Sequence, residues 1–407
     1  MRRIKYTLWS LAFAVTLLSA CRESRPTAPA VSDSALTEEN VGDGLTVERG
    51  RQIFRFDTFG DETFWTDTLR MHEVIRSSVS PNKARSVGLK VDVTALPNSV
   101  KDALAAGKIN LDDPAVTVTL LKLGAVVGLM GVVDANNVLQ RVGITCAICH
   151  STVDNSFAPS IGRRLDGWPN RDLNPGAIIA LSPALTPAQK AVYNSWGPGM
   201  YDPRFNIDGK NIPVVLPPAF GLRNVAREIY TGDGPVSYWN AYVAITQMHG
   251  HGQFVDARIG VSKNNPPDLV SSKLDALRAY QFSLTTPQAL PGSFNAQAAE
   301  RGRLVFNGAG GCASCHMGIT LTDVNVGTLH TAAAVGQDPA YALRSATKLY
   351  RTTPLRGLWH PPQLTGPYFH DGSAPTLDAV VNHYVTLFGL TLSPQQKADL
   401  VEYLKTL

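Results

Sequence analysis

The sequence predicts a mainly α-helical chain made of two copies of one module, the first enlarged by a large helical insertion. Three observations predict it. The run Glu48–Phe54 (ERGRQIF) recurs as Glu300–Phe306 (ERGRLVF), and each copy precedes a C-x-x-C-H run, CAICH at 146–150 and CASCH at 312–316. Few segments alternate apolar and polar residues at the period of a strand, and Gly, Pro and Asn punctuate the chain throughout. Ser393-Pro394-Gln395-Gln396 reads as a capping box with Pro at the first helical position. It opens a helix with Leu400, Val401, Tyr403, Leu404 and Leu407 on one face.

At the start, Arg2, Arg3 and Lys5 precede an apolar run from Leu8 to Leu18 that ends in Ser19-Ala20-Cys21. This is a secretory signal over residues 1–20, and its apolar run is too short to span a bilayer. A small-residue site ending in Cys resembles the bacterial lipobox, which implies cleavage before Cys21 and lipid attachment to its thiol. The mature chain is then expected on the periplasmic side, held to the membrane by that lipid, with the outer membrane preferred. Residues 21–45 are rich in Ser, Thr, Pro, Ala and acids and read as a disordered tether. Three basic residues leave with the signal, so the formal charge of +4 overstates the mature charge, and nothing suggests a nucleic-acid partner.

The C-x-x-C-H spacing has a mechanical reason. Two thiols three residues apart sit one helical turn apart and can bond the two vinyl groups of a haem, while the next imidazole reaches the iron. Cys146, Cys149, Cys312 and Cys315 are therefore expected to attach two haem c groups, with His150 and His316 as proximal iron ligands. A zinc site is the other use of paired cysteines, but the two pairs lie 166 positions apart and zinc does not require the following His. Of five cysteines only Cys21 remains, so no disulfide framework is available.

Both modules then read as cytochrome c-like haem domains, the first over 46–285 and the second over 290–407. In such a fold the helix ahead of the haem turn packs on the module's C-terminal helix, here burying Phe54 or Phe306. Glu300 lies 12 positions before Cys312, whereas Glu48 lies 98 before Cys146, which places an insertion at about 55–140. Within it, 57–75 reads as a packed helix or two carrying Phe59, Phe64, Trp65, Leu69 and Met71. The apolar stretch 115–133, interrupted by Gly124, Gly128 and Gly131, reads as a buried helical hairpin rather than a membrane span. His72 reads as a surface or core residue.

The segment 353–384 (TPLRGLWHPPQLTGPYFHDGSAPTLDAVVNHY) resembles the C-terminal haem domain of bacterial dihaem cytochrome c peroxidases and the MauG branch. The resemblance is close over about 295–407 and loose around 216–234. It implies that the first haem reacts with peroxide, that the second passes electrons to it, and that a small redox protein is the electron donor or acceptor. The motif His370-Asp371-Gly372 matches the family's, and its pattern puts the second haem's distal ligand fourteen residues on, at Tyr384. Ordinary peroxidases have Met there, but no Met follows Met317, whereas the MauG branch has Tyr. His383, His360 and His330 are the alternatives, or an open site. The family's calcium ion maps to Asn174, Thr365 and Pro367, although Asn174-Pro175-Gly176 also reads as a plain turn.

The chain departs from the family around the first haem. Thr231-Gly232-Asp233-Gly234 replaces the Trp motif between the haems, leaving Tyr230 and Trp239 as substitute aromatics for the electron path. The acid expected on the distal side is missing, and the sequence there reads Gln247-Met248-His249-Gly250-His251-Gly252. His249 or His251 can be the distal acid–base group. Either can instead bind the iron, or the stretch is a Gly-rich surface turn. Three functions follow: a peroxidase-like oxidoreductase, a dihaem electron carrier without peroxidase activity, and, more remotely, an oxygenase resembling the secreted rubber oxygenases.

Overall fold

The computed structural model describes residues 44–359 and 366–407. The signal, Cys21, nearly all of the tether, His360 and Thr365 lie outside the described residues. In chain order, α1 (Gly44–Phe56) leads into the insertion, whose helices are α2 (Met71–Ser78), α3 (Pro81–Ser86), α4 (Asn98–Ala105) and α5 (Pro114–Lys122). A hairpin of β1 (Leu129–Val133) and β2 (Leu139–Ile144) then delivers the chain to the first C-x-x-C-H turn. α6 (Pro175–Ala180), α7 (Val236–Tyr242) and α8 (Leu274–Ser283) complete the first module, and α9 (Ala296–Asn307), α10 (Leu377–Leu387) and α11 (Pro394–Leu404) frame the second.

The repeated ERGR segments take the same place twice. α1 packs on α8, and α9 packs on α11. Each crossing closes on a glycine that no other residue can replace without a shift. A Cβ on Gly50 would lie 1.9 Å from the Ala276 carbonyl oxygen, and one on Gly302 would lie 1.9 Å from that of Asp399. One turn on, Phe54 meets Tyr280 edge-on at 5.5 Å and Phe306 meets Tyr403 edge-on at 5.2 Å. Both phenylalanines are buried, as their spacing predicts. Ser393 and Gln396 form the expected capping box at the start of α11.

The insertion is where sequence and structure part. Helical structure spans much of 57–75, as expected, but 115–133 is not a helical hairpin. α5 ends at Lys122, and 129–133 pairs antiparallel with 139–144. The glycines explain why. Gly124 and Gly128 adopt φ of +64° and +80°, conformations closed to a continuing helix. A Cβ on Gly128 would lie 2.2 Å from Ile148 Cα, so the backbone passes directly against the first C-x-x-C-H turn. The β-branched residues on either side then favour a strand. Among the described residues, five two-stranded pairings make the fold mixed rather than purely helical, with 42% helix and 12% strand.

Separate apolar clusters fill the interior. One holds Phe54, Phe59, Tyr242 and Leu277, a second the insertion's Trp65, Leu69, Leu121 and Leu139, and a third Val305, Phe306, Val381 and Leu400. A buried charge network links 202–233 to the second module. Arg344 pairs with Asp202 at 3.0 Å and Asp208 at 2.7 Å, while Arg204 pairs with Asp233 at 2.6 Å and donates to the Arg344 carbonyl at 2.7 Å. Among the described residues no helix is long and apolar enough to cross a membrane.

Candidate functional site

The first C-x-x-C-H run forms a short helical turn directly after β2, with Ala147 fully buried beneath it. The His150 ring is oriented by its Nδ1 hydrogen bond to the Pro217 carbonyl at 3.1 Å, which leaves Nε2 for an iron. Burial pulls the His150 pKa down to about 4, so the imidazole is neutral, as a ligand must be. Burial likewise pushes the Cys146 and Cys149 thiols up to about 12, so neither is an exposed reactive thiolate.

These three residues line a cavity of about 870 Å³ whose wall is dominated by apolar side chains. The cavity suits a haem. Trp239 Nε1 and Arg351 Nε are buried donors on its lining with no hydrogen-bond partner, and a haem propionate is the acceptor they lack.

The distal segment enters the same cavity. Two π-helical turns, Thr63–Thr68 and Val243–Gln247, converge on it, a local distortion frequent at functional sites. The Trp65 indole donates to the Met248 carbonyl at 3.3 Å, and Phe64 stacks on His249 with centroids 3.6 Å apart. His249 holds φ of +66°, an uncommon conformation for a residue with a side chain. Burial, with a smaller effect from Lys263, pulls its pKa down to about 4. Gln247 lines the cavity, accepting from Tyr201 at 2.9 Å and donating to Asn206 at 3.1 Å and Thr246 at 2.9 Å.

His251 is not brought into the lining of this cavity. Its Nδ1 bonds the Pro266 carbonyl at 3.0 Å, and its Nε2 lies 3.4 Å from Thr63 Oγ1. Of the two histidines, His249 is thus the distal candidate. Trp239 lines the cavity beneath the Arg204 guanidinium, 5.9 Å from its ring. Tyr230 instead donates to the Val215 carbonyl at 3.0 Å, with its ring 6.3 Å from that of His370. Tyr201, Asn206 and Arg204 carry no motif. Their polarity beside aromatic residues in 196–206 was the available signal, and it does not single them out.

At the second C-x-x-C-H run, His316 Nδ1 bonds the Leu321 carbonyl at 3.1 Å, repeating the arrangement at His150. Tyr384 lies on α10, and burial together with the nearby Cys315 and Cys312 sulphurs pushes its phenol up to about 12. It therefore stands close to the attachment cysteines. A phenol so placed ionises only against a cation. Of the alternatives among the described residues, His383 Nε2 bonds the Val335 carbonyl at 3.0 Å, and His330 Nε2 bonds Asp323 at 2.8 Å and Thr352 at 3.0 Å. His370 is buried between tyrosines, its Nε2 3.1 Å from the Tyr350 hydroxyl, and its carbonyl accepts from Val215 N at 2.8 Å. Asp371 accepts from Ser373 N at 3.0 Å, and Gly372 takes the φ of +74° that its turn against Pro367 requires.

Of the calcium candidates, Asn174 caps α6 by accepting from Ala177 N at 2.9 Å, and Pro367 follows a cis peptide bond. The helix cap accounts for Asn174 without a metal.

Residues 299–407 match the cytochrome c family model. This part of the chain is a cytochrome c domain, and the chain is similar to MauG. The methylamine utilization protein MauG of Methylorubrum extorquens is 32% identical over 126 residues, covering 27% of this chain and 34% of that protein. The hydrazine synthase subunit gamma of Kuenenia stuttgartiensis is 29% identical over 185 residues, covering 36% of this chain and 51% of that one. The chain thus spans about a third and about half of the length of these curated relatives. Among solved structures, hydrazine synthase of Kuenenia stuttgartiensis under xenon matches at 22% identity and a TM-score of 0.34, covering 48% of this chain and 72% of that one. A MauG-like protein associated with microbial copper homeostasis matches at 22% and 0.24, covering 33% and 56%. The cytochrome c domain at 299–407 and the likeness to MauG imply covalently bound haem c.

Proposed function

We propose that this chain is a periplasm-facing, lipid-anchored dihaem cytochrome and a peroxidase-like oxidoreductase. Peroxide is its small oxidant at the haem of His150, and electrons arrive from a small redox protein through the haem of His316. The observation that carries this reading is the meeting, in one apolar cavity, of a neutral, carbonyl-oriented His150 with Gln247 and His249. Haem c bound there supplies an iron that exchanges electrons and binds the oxidant.

The chain's own groups handle protons and position. With its pKa near 4, His249 is neutral at physiological pH and accepts a proton from the oxidant's oxygen. Gln247, fixed by Tyr201, Asn206 and Thr246, presents an amide that orients that oxygen. His249 and Phe64 also line a second cavity of about 270 Å³ that includes Lys263, which supports entry of a small oxidant beside the stacked pair. Trp239 on the cavity wall and Tyr230, whose carbonyl accepts from Arg351 N at 2.9 Å, serve as the path between haems, with Tyr384 as the second iron's distal ligand.

The test is electron paramagnetic resonance of the ferric and half-reduced holoprotein before and after peroxide. A high-spin signal that peroxide removes is expected, and in His249→Ala the signal should remain while its response to peroxide and turnover are lost. Two low-spin haems in every redox state would sink the enzyme reading and leave an electron carrier with His249 on the first iron.

A further inference from the structure

The large cavity lined by Cys146, Cys149 and His150 is lined by the insertion as well. Its far wall is the insertion itself, where Ile75, Val79, Leu104, Leu111 and Leu120 line it from α2 to α5. Ile75, Val79 and Leu120 belong to the insertion's own buried cluster, distinct from the clusters around Phe54 and around Ile148 and Leu216. Apolar side chains that border open volume lose the contacts a filled core would give them.

One buried hydroxyl on this wall has no partner. Thr117 is only 5% exposed and lines the cavity, and its hydroxyl has no hydrogen-bond partner. A helical threonine can return its hydroxyl to the carbonyl four residues back. Thr119, two positions on, does this with Ala115 at 3.0 Å, whereas Thr117 does not. A buried hydroxyl kept unpaired on an apolar cavity wall is what a ligand oxygen completes.

We propose that the insertion forms a binding lobe for an apolar organic molecule bearing one hydrogen-bonding oxygen, such as a medium-chain ketone. The oxygen sits on Thr117 and the hydrocarbon lies along Leu104 and Leu120, in the same enclosure as the first haem. The inference rests on reading that enclosure as the haem site and gives the site an organic ligand besides the oxidant.

Titration calorimetry of 2-decanone into the ferric holoprotein tests it. Saturable binding is expected, weakened about fivefold by Thr117→Val through loss of one hydrogen bond and restored by Thr117→Ser. Leu104→Trp, at a partly exposed position where added bulk can be absorbed, should weaken it more than tenfold while helical circular dichroism and haem absorption stay unchanged. No saturable binding, or binding indifferent to both Thr117→Val and Leu104→Trp, overturns the proposal. Peroxide response is read separately on the same samples. A haem blind to peroxide beside intact ketone binding refutes the peroxidase reading alone, and the reverse pattern refutes the lobe alone.

Discussion

Replacing Gly302 with Ala should destabilise the second module, by an amount that follows from the α9–α11 crossing. The new Cβ would meet the Asp399 carbonyl oxygen at 1.9 Å and Tyr403 Cβ at 2.8 Å, where ordinary contact begins at 3.4 Å. The neighbour is backbone, so no side chain can rotate away. The helices must separate by about 1.5 Å, which also loosens the Phe306–Tyr403 pair and the Arg301–Asp399 ion pair at 2.7 Å. Overpacking of this kind costs about 1–3 kcal/mol, and more where backbone must move. Alanine returns about 0.5–1 kcal/mol through helix propensity. A net loss of about 2 kcal/mol lowers the melting temperature by roughly 4–8 °C. Gly50→Ala should behave alike, since its Cβ would meet the Ala276 carbonyl oxygen at 1.9 Å and Tyr280 Cβ at 2.6 Å. Gly44→Ala, with nothing within 4 Å, is the control and should stay within about 0.5 kcal/mol of the parent. Thermal melting of the holoprotein by circular dichroism reads all three. If Gly50→Ala and Gly302→Ala melt with Gly44→Ala, the glycines do not close the two crossings and the equivalence of the modules loses its structural support.

Two further outcomes follow from buried groups. Tyr384→Phe should change the absorption and low-temperature resonance of the second haem while leaving the first unaltered, and an unchanged spectrum rejects Tyr384 as a ligand. Asp61 is fully buried, and burial followed by the nearby Glu62 pushes its carboxyl up to about 9, so it folds protonated. Above about pH 4 the unfolded chain releases this proton and the folded chain keeps it, so stability falls as pH rises from about 4 to about 9. In Asp61→Asn this part of the slope should vanish from melting curves taken across that range, and parallel curves for the two proteins would show that Asp61 titrates normally.

The two C-x-x-C-H turns and the twin helix crossings were legible in the sequence because each rests on local spacing. C-x-x-C-H fixes one helical turn, and ERGR-x-x-F places Gly50 and Phe54, or Gly302 and Phe306, one turn apart on one face. The hairpin at 129–144 was not legible. An apolar run with three glycines suits either a helix or a strand, and the deciding fact, Gly128 pressed on Ile148, joins residues twenty apart. At the distal side His249 and His251 were indistinguishable in sequence. Phe64 and Thr63, some 185 positions earlier, direct one toward the cavity and hold the other outside it. Arg204 and Tyr201 were invisible for the same reason, since their roles come from Asp233, Trp239 and Gln247, which only tertiary folding brings near.

The unequal modules also bear on how such a chain can diversify. The first C-x-x-C-H turn lies 98 residues after Glu48, the second only 12 after Glu300, an eightfold difference in the loop each helix pair must close. Closure entropy grows only with the logarithm of length, about 0.6 kcal/mol per doubling, so three doublings cost roughly 2 kcal/mol. A single buried leucine contributes as much, and the inserted segment brings several. The gap between the first helix and the haem turn is thus a place where the chain can accept a whole new chamber wall with little loss of stability. New ligand chemistry can then arise beside the iron while both helical clasps stay unchanged.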